Sequence, residues 1–313
     1  MTTDVLPPDA PAPMVDSPPR VLPTASEIEE AMALPLTTRF ILDEAISGVQ
    51  QAFLDAHGFI LFGGVATPEE VALILREVDQ VQDALIAEQK TIVNGIPLCI
   101  GEDGEGGPFI QRFAFTSLYS EKISSFVHDS RFLPIRGLIG ERTRVGEGER
   151  DGVVFNRNMT VEGSAYTRLG WHTDGLRDLF MLHPTWPWLR PPGPMLNVGI
   201  HFDHIKAEDG GLRLIPGSHT QGFLSMLFRK PYFLSHGIDR NEIAVETEPG
   251  DLTVHDGRMW HRVERSPWTG RRSLRRTMYV PYLLDAYQPK SEDSGTPFYH
   301  RLSAPLNRFT RAG

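Results

Sequence analysis

His172 and Asp174 stand two residues apart in the run Gly170-Trp171-His172-Thr173-Asp174-Gly175, and a third candidate ligand, His261, follows Trp260 much later in the chain. On an extended strand, side chains at i and i+2 leave from the same face, so an imidazole and a carboxylate at this spacing can grip one ion together. Two histidines and one carboxylate occupy three coordination positions and leave the others open. That is the facial triad of non-haem Fe(II) oxygenases, in which the open positions take an organic co-substrate and O2. A His-x-Asp pair alone recurs by chance, so the order of the segments around it carries the weight.

Those segments are Asp209-Gly210-Gly211-Leu212-Arg213-Leu214-Ile215-Pro216-Gly217-Ser218-His219, then Pro249-Gly250-Asp251-Leu252-Thr253-Val254-His255, then Trp260-His261, then arginines at 271, 272, 275 and 276. The ordered set, over about residues 50–285, resembles the phytanoyl-CoA dioxygenase family of Fe(II)/2-oxoglutarate-dependent oxygenases. The resemblance implies a mainly β protein with a helical cover, a double-stranded β-helix (a jelly roll, cupin-like), and places His172, Asp174 and His261 on Fe(II). His255, six residues before His261, competes for the distal position; the family pattern favours the histidine after Trp260. His219 resembles a structural turn of the family. His183, His201 and His204 are possible pocket residues without positive support.

The co-substrate 2-oxoglutarate has a distal carboxylate that must be neutralised in a partly dry pocket, and an arginine fork matches it in bidentate geometry. Family members carry that arginine on the strand after the distal histidine, where Arg271, Arg272, Arg275 and Arg276 compete. Aligning Arg275-Arg276-Thr277-Met278-Tyr279-Val280 with the family strand selects Arg275. The two-residue period of a strand then turns Arg276 the other way and puts Thr277 and Tyr279 on the face of Arg275. Asn156 and Asn158 alternate on one strand face, so Arg275, Asn158 and Thr277 are the expected co-substrate contacts. Two departures from the family stand out. Gly199 appears where many members carry Trp, which would leave space, and Val263 replaces a small hydroxyl residue two positions after the distal histidine.

The resemblance further implies O2-dependent hydroxylation of an unactivated C–H bond in a small organic molecule, such as a secondary metabolite, lipid or acid. Relatives that halogenate lack the carboxylate that Asp174 supplies. Two other classes use similar residues: a cupin-like Zn or Mn enzyme, which needs no inward arginine after its last ligand, and a catalytically silent metal- or metabolite-binding protein. No signature for CoA is visible.

Composition narrows the classes. The 313 residues are 40% hydrophobic and 23% charged, ordinary for a globular protein. A net charge of −9 argues against nucleic-acid or anionic-membrane partners. The lone Cys99 excludes an internal disulfide and a zinc ribbon, and the start Met1-Thr2-Thr3-Asp4 lacks the basic-then-apolar pattern of a secretory signal, so a cytoplasmic setting is expected. No apolar run of about 18 residues occurs.

The elements that must position the site follow from periodicity and breakers. Prolines at 7, 8, 11, 13, 18, 19 and 23 make residues 1–24 an expected disordered tail, leaving 25–313 as one domain. A helical stretch is expected over 25–57 and a strand over 58–62. A helix then starts at Thr67, with Pro68 at its first position and Glu70 closing a capping box. Val71, Ile74, Leu75, Val78, Val81 and Leu85 repeat along one face of it. Residues 101–107 read as a loop, too acidic to cradle phosphate. Short strands are expected over 153–159, 168–173, 195–203, 212–215, 243–247, 252–255 and 275–282, the pattern of an antiparallel barrel or jelly roll. Between them, 183–194 is a proline-rich loop whose Trp186 and Trp188 either line an entrance or pin the loop.

Overall fold

Three helices near the start of the chain begin with the same local device. Thr24 with Glu27, Ser47 with Gln50 and Thr67 with Glu70 each form a capping box, opening α1 (Ala25–Ala33), α2 (Gly48–His57) and α3 (Pro68–Ala87). The expected helix over 25–57 is therefore two helices. Pro35 holds Leu34 in the extended region, which ends α1, and the short strand β1 (Arg39–Phe40) intervenes.

The computed structural model describes residues 17–161, 164, 167–175, 194–284 and 287–297. The expected tail boundary at residue 24 is too late. Ser17 is buried and donates to the Thr143 carbonyl at 2.6 Å, Arg20 pairs with Asp55 at 2.6 Å, and Val21 packs on the core. Proline density sets local flexibility but cannot show that a few side chains have partners across the chain. Residues 1–16 lie outside the described residues, as do His183, Trp186 and Trp188 of the expected loop.

After β2 (Phe59–Phe62) and α3 come β3 (Ile92–Val93), β4 (Ile96–Pro97), β5 (Cys99–Glu102) and β6 (Pro108–Phe113). Two short helices, α4 (Glu121–Val127) and α5 (Leu133–Arg136), lead to β7 (Arg144–Val145), β8 (Val154–Asn158) and β9 (Leu169–His172). The remainder holds β10 (Met195–His201), β11 (Gly211–Leu214), α6 (Phe223–Phe228) and β12 (Ile243–Ala244), then β13 (Leu252–Asp256), β14 (His261–Glu264) and β15 (Arg275–Leu283). The expected loop at 101–107 is the tip of the β5–β6 hairpin, where the Asp103 carboxylate accepts from the Glu105 and Gly107 N–H groups.

Among the described residues a nine-stranded sheet runs β1-β2-β13-β10-β15-β8-β6-β5, with β7 added on β15, and a four-stranded sheet runs β12-β11-β14-β9. This is the double-stranded β-helix. On the large sheet, Leu196, Val198 and Ile200 of β10, Leu252 and Val254 of β13, and Met278, Val280 and Tyr282 of β15 join Phe53, Ile74, Val78 and Phe155 in one buried apolar cluster shared with the helical cover. Each such side chain contributes about 2 kcal/mol relative to exposure. The alternate residues face the other way: Asn197, Gly199 and His201 on β10, Thr253 and His255 on β13, and Arg275, Thr277 and Tyr279 on β15. A face of this polarity inside a barrel is a candidate site.

Candidate metal centre and adjoining pocket

The strand register brings the distant histidines together. His172 at the end of β9 and His261 at the start of β14 are directly paired, and their rings lie 4.1 Å apart between centroids. Asp174 lies two residues beyond the end of β9, outside the strand. Its N–H donates to the Gly257 carbonyl at 2.7 Å, so the β13–β14 turn that leads into His261 also holds the backbone of Asp174. Asp174 Oδ2 lies 3.7 Å from His261 Nε2.

The tautomers follow from the backbone. His172 Nδ1 bonds the Gly170 carbonyl at 2.8 Å and His261 Nδ1 bonds the Met259 carbonyl at 3.0 Å. A carbonyl only accepts, so both Nδ1 atoms carry the hydrogen and both lone pairs sit on Nε2, as a metal-binding imidazole requires. Two imidazole nitrogens and a carboxylate oxygen without sulfur suit a borderline or hard divalent ion such as Fe(II).

His255 enters the same cluster, although the family pattern favours His261. The ligand atoms of Asp174, His255 and His261 all lie within 4.8 Å of one another. His255 is fully buried, and its Nε2 is 3.2 Å from the Asn197 amide nitrogen, which also donates to Asp174 Oδ2 at 2.5 Å. Its Nδ1 has no hydrogen-bond partner. Burial, then the neighbouring His261, holds the imidazole well below the usual histidine range, so it is neutral at physiological pH. The ring of Phe233 stacks on His172 at 4.6 Å and 24°, from a left-handed backbone with φ 59°.

The four competing arginines separate cleanly. Arg271 is exposed and reaches Glu105, while Arg272 lies over the Trp268 ring at 3.3 Å. Arg276 pairs with Asp203, Nη2 to Oδ1 at 2.5 Å. Arg275 alone of the four is buried, at 5% exposure. Its Nη1 donates to the Glu264 carbonyl and its Nη2 to the Thr167 carbonyl at 3.1 Å, while Nε lacks a partner. Burial pulls its pKa down to about 10. A buried guanidinium with a spare donor and no carboxylate on its own atoms is poised for an anion.

Arg275 lines a pocket together with Asn156, Asn158, His201, Val263, Thr277 and Tyr279. Cross-strand rows set this order: Arg275 opposes Asn158, and Thr277 lies between Asn156 and His201. Tyr279, four residues from Arg275 and so about 13 Å along the strand, meets the His255 ring edge-on at 6.0 Å. The pocket thus runs from the arginine toward the histidine cluster. His201 is buried, bonded to Thr253 Oγ1 at 2.9 Å, and driven by burial to a pKa of about 3, hence neutral. Val263 faces the pocket, so that wall offers no hydroxyl. The expectation that Gly199 leaves space is overturned. A Cβ there would meet Tyr279 Cε1 at 2.6 Å and Thr253 Oγ1 at 2.9 Å, because the two strands flanking Gly199 lean their side chains over it.

Tyr279 lines the pocket on the face that strand period gives it with Arg275, whereas Asn197, Phe233 and Arg150 are not singled out by the sequence. Asn197 shares the i, i+2 spacing of Gly199 and His201 and was findable by strand period; Phe233 and Arg150 carry no local signal.

Residues 151–267 match the phytanoyl-CoA dioxygenase (PhyH) family model. A comparison with curated proteins finds no significant match. Among solved structures the chain is similar to HygX from Streptomyces hygroscopicus with nickel and 2-oxoglutarate bound, at TM-score 0.54 and 19% identity, covering 76% of this chain and 87% of that one. It is similar also to the non-heme alpha ketoglutarate dependent epimerase SnoN from nogalamycin biosynthesis, at TM-score 0.53 and 18% identity over 76% and 83% of the two chains. AviO1 from Streptomyces viridochromogenes Tue57 gives TM-score 0.53 and 17% identity over 80% and 98%. At these identities the structures speak to fold, and they agree with the two sheets described above. The stretch that matches this family model contains all four clustered side chains, His172, Asp174, His255 and His261.

Proposed function

We propose that this chain is an Fe(II)- and 2-oxoglutarate-dependent oxygenase that hydroxylates an unactivated C–H bond of a small organic molecule. The observation that carries the reading is the presence in one barrel of two features: the paired His172 and His261 imidazoles, whose Nδ1–H groups go to backbone carbonyls and leave both lone pairs on Nε2 near Asp174, and a buried arginine with a spare donor in a pocket that reaches Tyr279 beside His255. When bound, iron, co-substrate and O2 supply the oxidising chemistry that no side chain here possesses. His172, Asp174 and His261 would hold the ion through two nitrogens and an oxygen. Arg275 would neutralise the distal carboxylate of 2-oxoglutarate, with Asn158 and Thr277 beside it as further polar contacts. His255 acts at one remove, accepting from the amide that holds Asp174. Arg275 and Asn158 are buried, and charge-assisted contacts made by buried groups are stronger than those made in water.

A buried arginine supports this reading over a cupin-like zinc or manganese hydrolase or isomerase, which has no carboxylate to clamp at that depth. HygX, also crystallised with nickel, 2-oxoglutarate and hygromycin B, supports a small-molecule substrate, and SnoN, named an epimerase, supports stereochemical inversion as the second outcome of the same site. Anaerobic addition of Fe(II) and 2-oxoglutarate should produce a metal-to-ligand absorption band, and aerobic incubation with a panel of candidate substrates should release succinate. Label from 18O2 in the product identifies hydroxylation; an unlabelled stereoisomer identifies epimerisation. Absence of both the band and succinate across the panel refutes the oxygenase reading.

A further inference from the structure

Arg150 occupies a place that its residue type does not favour. The Gly152 N–H donates to the Glu149 carbonyl at 2.8 Å, closing a turn over 149–152 with Arg150 at its first central position and φ 56°. Glycine, asparagine and aspartate are common where that position needs positive φ; a long side chain is crowded there. The turn is tightly seated: a Cβ on Gly152 would come within 2.3 Å of the Phe115 ring, and Arg112 pairs with Asp151 at 2.5 Å. From this turn the Arg150 side chain runs inward and is 2% exposed. Its Nη2 lies 3.7 Å from Asp174 Oδ1 and 3.5 Å from the Asp174 carbonyl, its Nη1 faces Met195 Sδ, and its guanidinium carbon sits 5.4 Å over the Tyr287 ring.

Asp174 is therefore held from two sides by different groups. The guanidinium stands at Oδ1, and the Asn197 amide donates to Oδ2 at 2.5 Å. A carboxylate turning about its Cβ–Cγ bond would have to give up one or both. Backbone strain at a residue whose side chain reaches such a site points to a role for that side chain.

We infer that Arg150 is a positioning residue for the metal centre: with Asn197 it fixes the rotation of the Asp174 carboxylate, keeping Oδ2 toward His261 and Oδ1 on the guanidinium. The inference rests on the proposed Fe(II) site and adds to it a residue that touches neither ion nor substrate. It predicts that the ligand set can be kept intact while its geometry is loosened from Arg150.

The test uses Co(II) as a spectroscopic probe, titrated into metal-free protein and followed by calorimetry and by visible ligand-field absorption, with the thermal midpoint of the metal-free protein measured in parallel. Arg150→Asn removes the cation yet suits positive φ, and Arg150→Lys keeps the charge. The expected result is a 10- to 100-fold weaker Co(II) affinity with an altered absorption band for Arg150→Asn, substantial recovery in Arg150→Lys, and a metal-free midpoint close to wild type. Asn197→Ser gives an arm that does not depend on the turn, and the same band change is expected. Wild-type affinity and band in Arg150→Asn overturn the inference, as does an unchanged band in Asn197→Ser. Equal losses in the Asn and Lys variants that merely track a fallen midpoint overturn it too. Wild-type protein that binds no Co(II) sinks the Fe(II) reading itself, whereas normal wild-type binding with an indifferent Arg150→Asn sinks this inference alone.

Discussion

Replacing Arg275 by Met separates the stability of the barrel from its affinity for co-substrate. The guanidinium is 5% exposed and its pKa falls to about 10 through burial. A lowered pKa on a cation means that the folded state disfavours the charged form, by about 3 kcal/mol for a shift of this size. That cost is present at every pH below about 10, and an arriving carboxylate relieves it. Methionine removes the buried charge and leaves the Glu264 and Thr167 carbonyls short of a donor, at about 1–3 kcal/mol each in the worst case. The two effects oppose, so the thermal midpoint of co-substrate-free protein should move little. Affinity should not survive: a charge-assisted bidentate contact is worth about 2–4 kcal/mol, or roughly 30- to 1,000-fold in Kd. At a 2-oxoglutarate concentration about 100 times the wild-type Kd, wild type gains about 2.7 kcal/mol and the variant under about 1 kcal/mol. The assay is a thermal shift in the presence of Fe(II) under anaerobic conditions, checked by titrating the metal-to-ligand band. Iron binding should persist, since arginine is no ligand. An undiminished 2-oxoglutarate affinity in Arg275→Met refutes the clamp; the same loss found in Arg271→Met, Arg272→Met or Arg276→Met moves it to that residue.

Alanine at His172, Asp174 or His261 should abolish bound iron and product, measured by metal analysis and succinate release, while His255→Ala retains the ion with a smaller loss; near-normal iron content in Asp174→Ala or His261→Ala defeats the ligand assignment. Deleting residues 1–16 should leave the melting temperature unchanged. Deleting 1–24 removes the buried Ser17 bond, the Arg20–Asp55 pair and the Thr24 cap, a loss of about 1–3 kcal/mol that calorimetry reads as several degrees; equal midpoints for the two deletions reject this. Gly199→Ala drives a methyl into Tyr279 and Thr253, and should cost about 1–3 kcal/mol in denaturant unfolding and weaken 2-oxoglutarate binding; a neutral substitution means that the Tyr279 ring yields freely.

Much of the architecture can be read from local rules. The box Thr67-Glu70 with Pro68 marks the start of α3, and its apolar spacing names the face that is buried. The strands from β8 to β15 fall within a few residues of where short apolar runs and turn residues place them, except β14. That strand, His261-Arg262-Val263-Glu264, has no apolar run because it carries a pocket wall on one face and the Arg262–Glu242 pair on the other. The hairpin at β5–β6 escapes notice for a different reason: pairing across strands, which no single segment displays, makes those residues extended.

The site divides along the same line. Strand period turns Arg275 and Arg276 to opposite faces before any coordinate is known, whereas the strand that carries His172 ends there, and Asp174, beyond it, is placed by its backbone bond to Gly257 and not by a shared strand face. That His255 enters the cluster, that Tyr279 fills the place over Gly199, and that Arg150 reaches Asp174 from a strained turn are decisions of the tertiary fold. Each depends on strand register and chain crossing between residues far apart in sequence, and those are set by the summed packing of both sheets, to which no short segment has access. Residue type and spacing determine which chemistry this chain can do; which side chains stand close enough to do it is determined only when the two sheets close on each other.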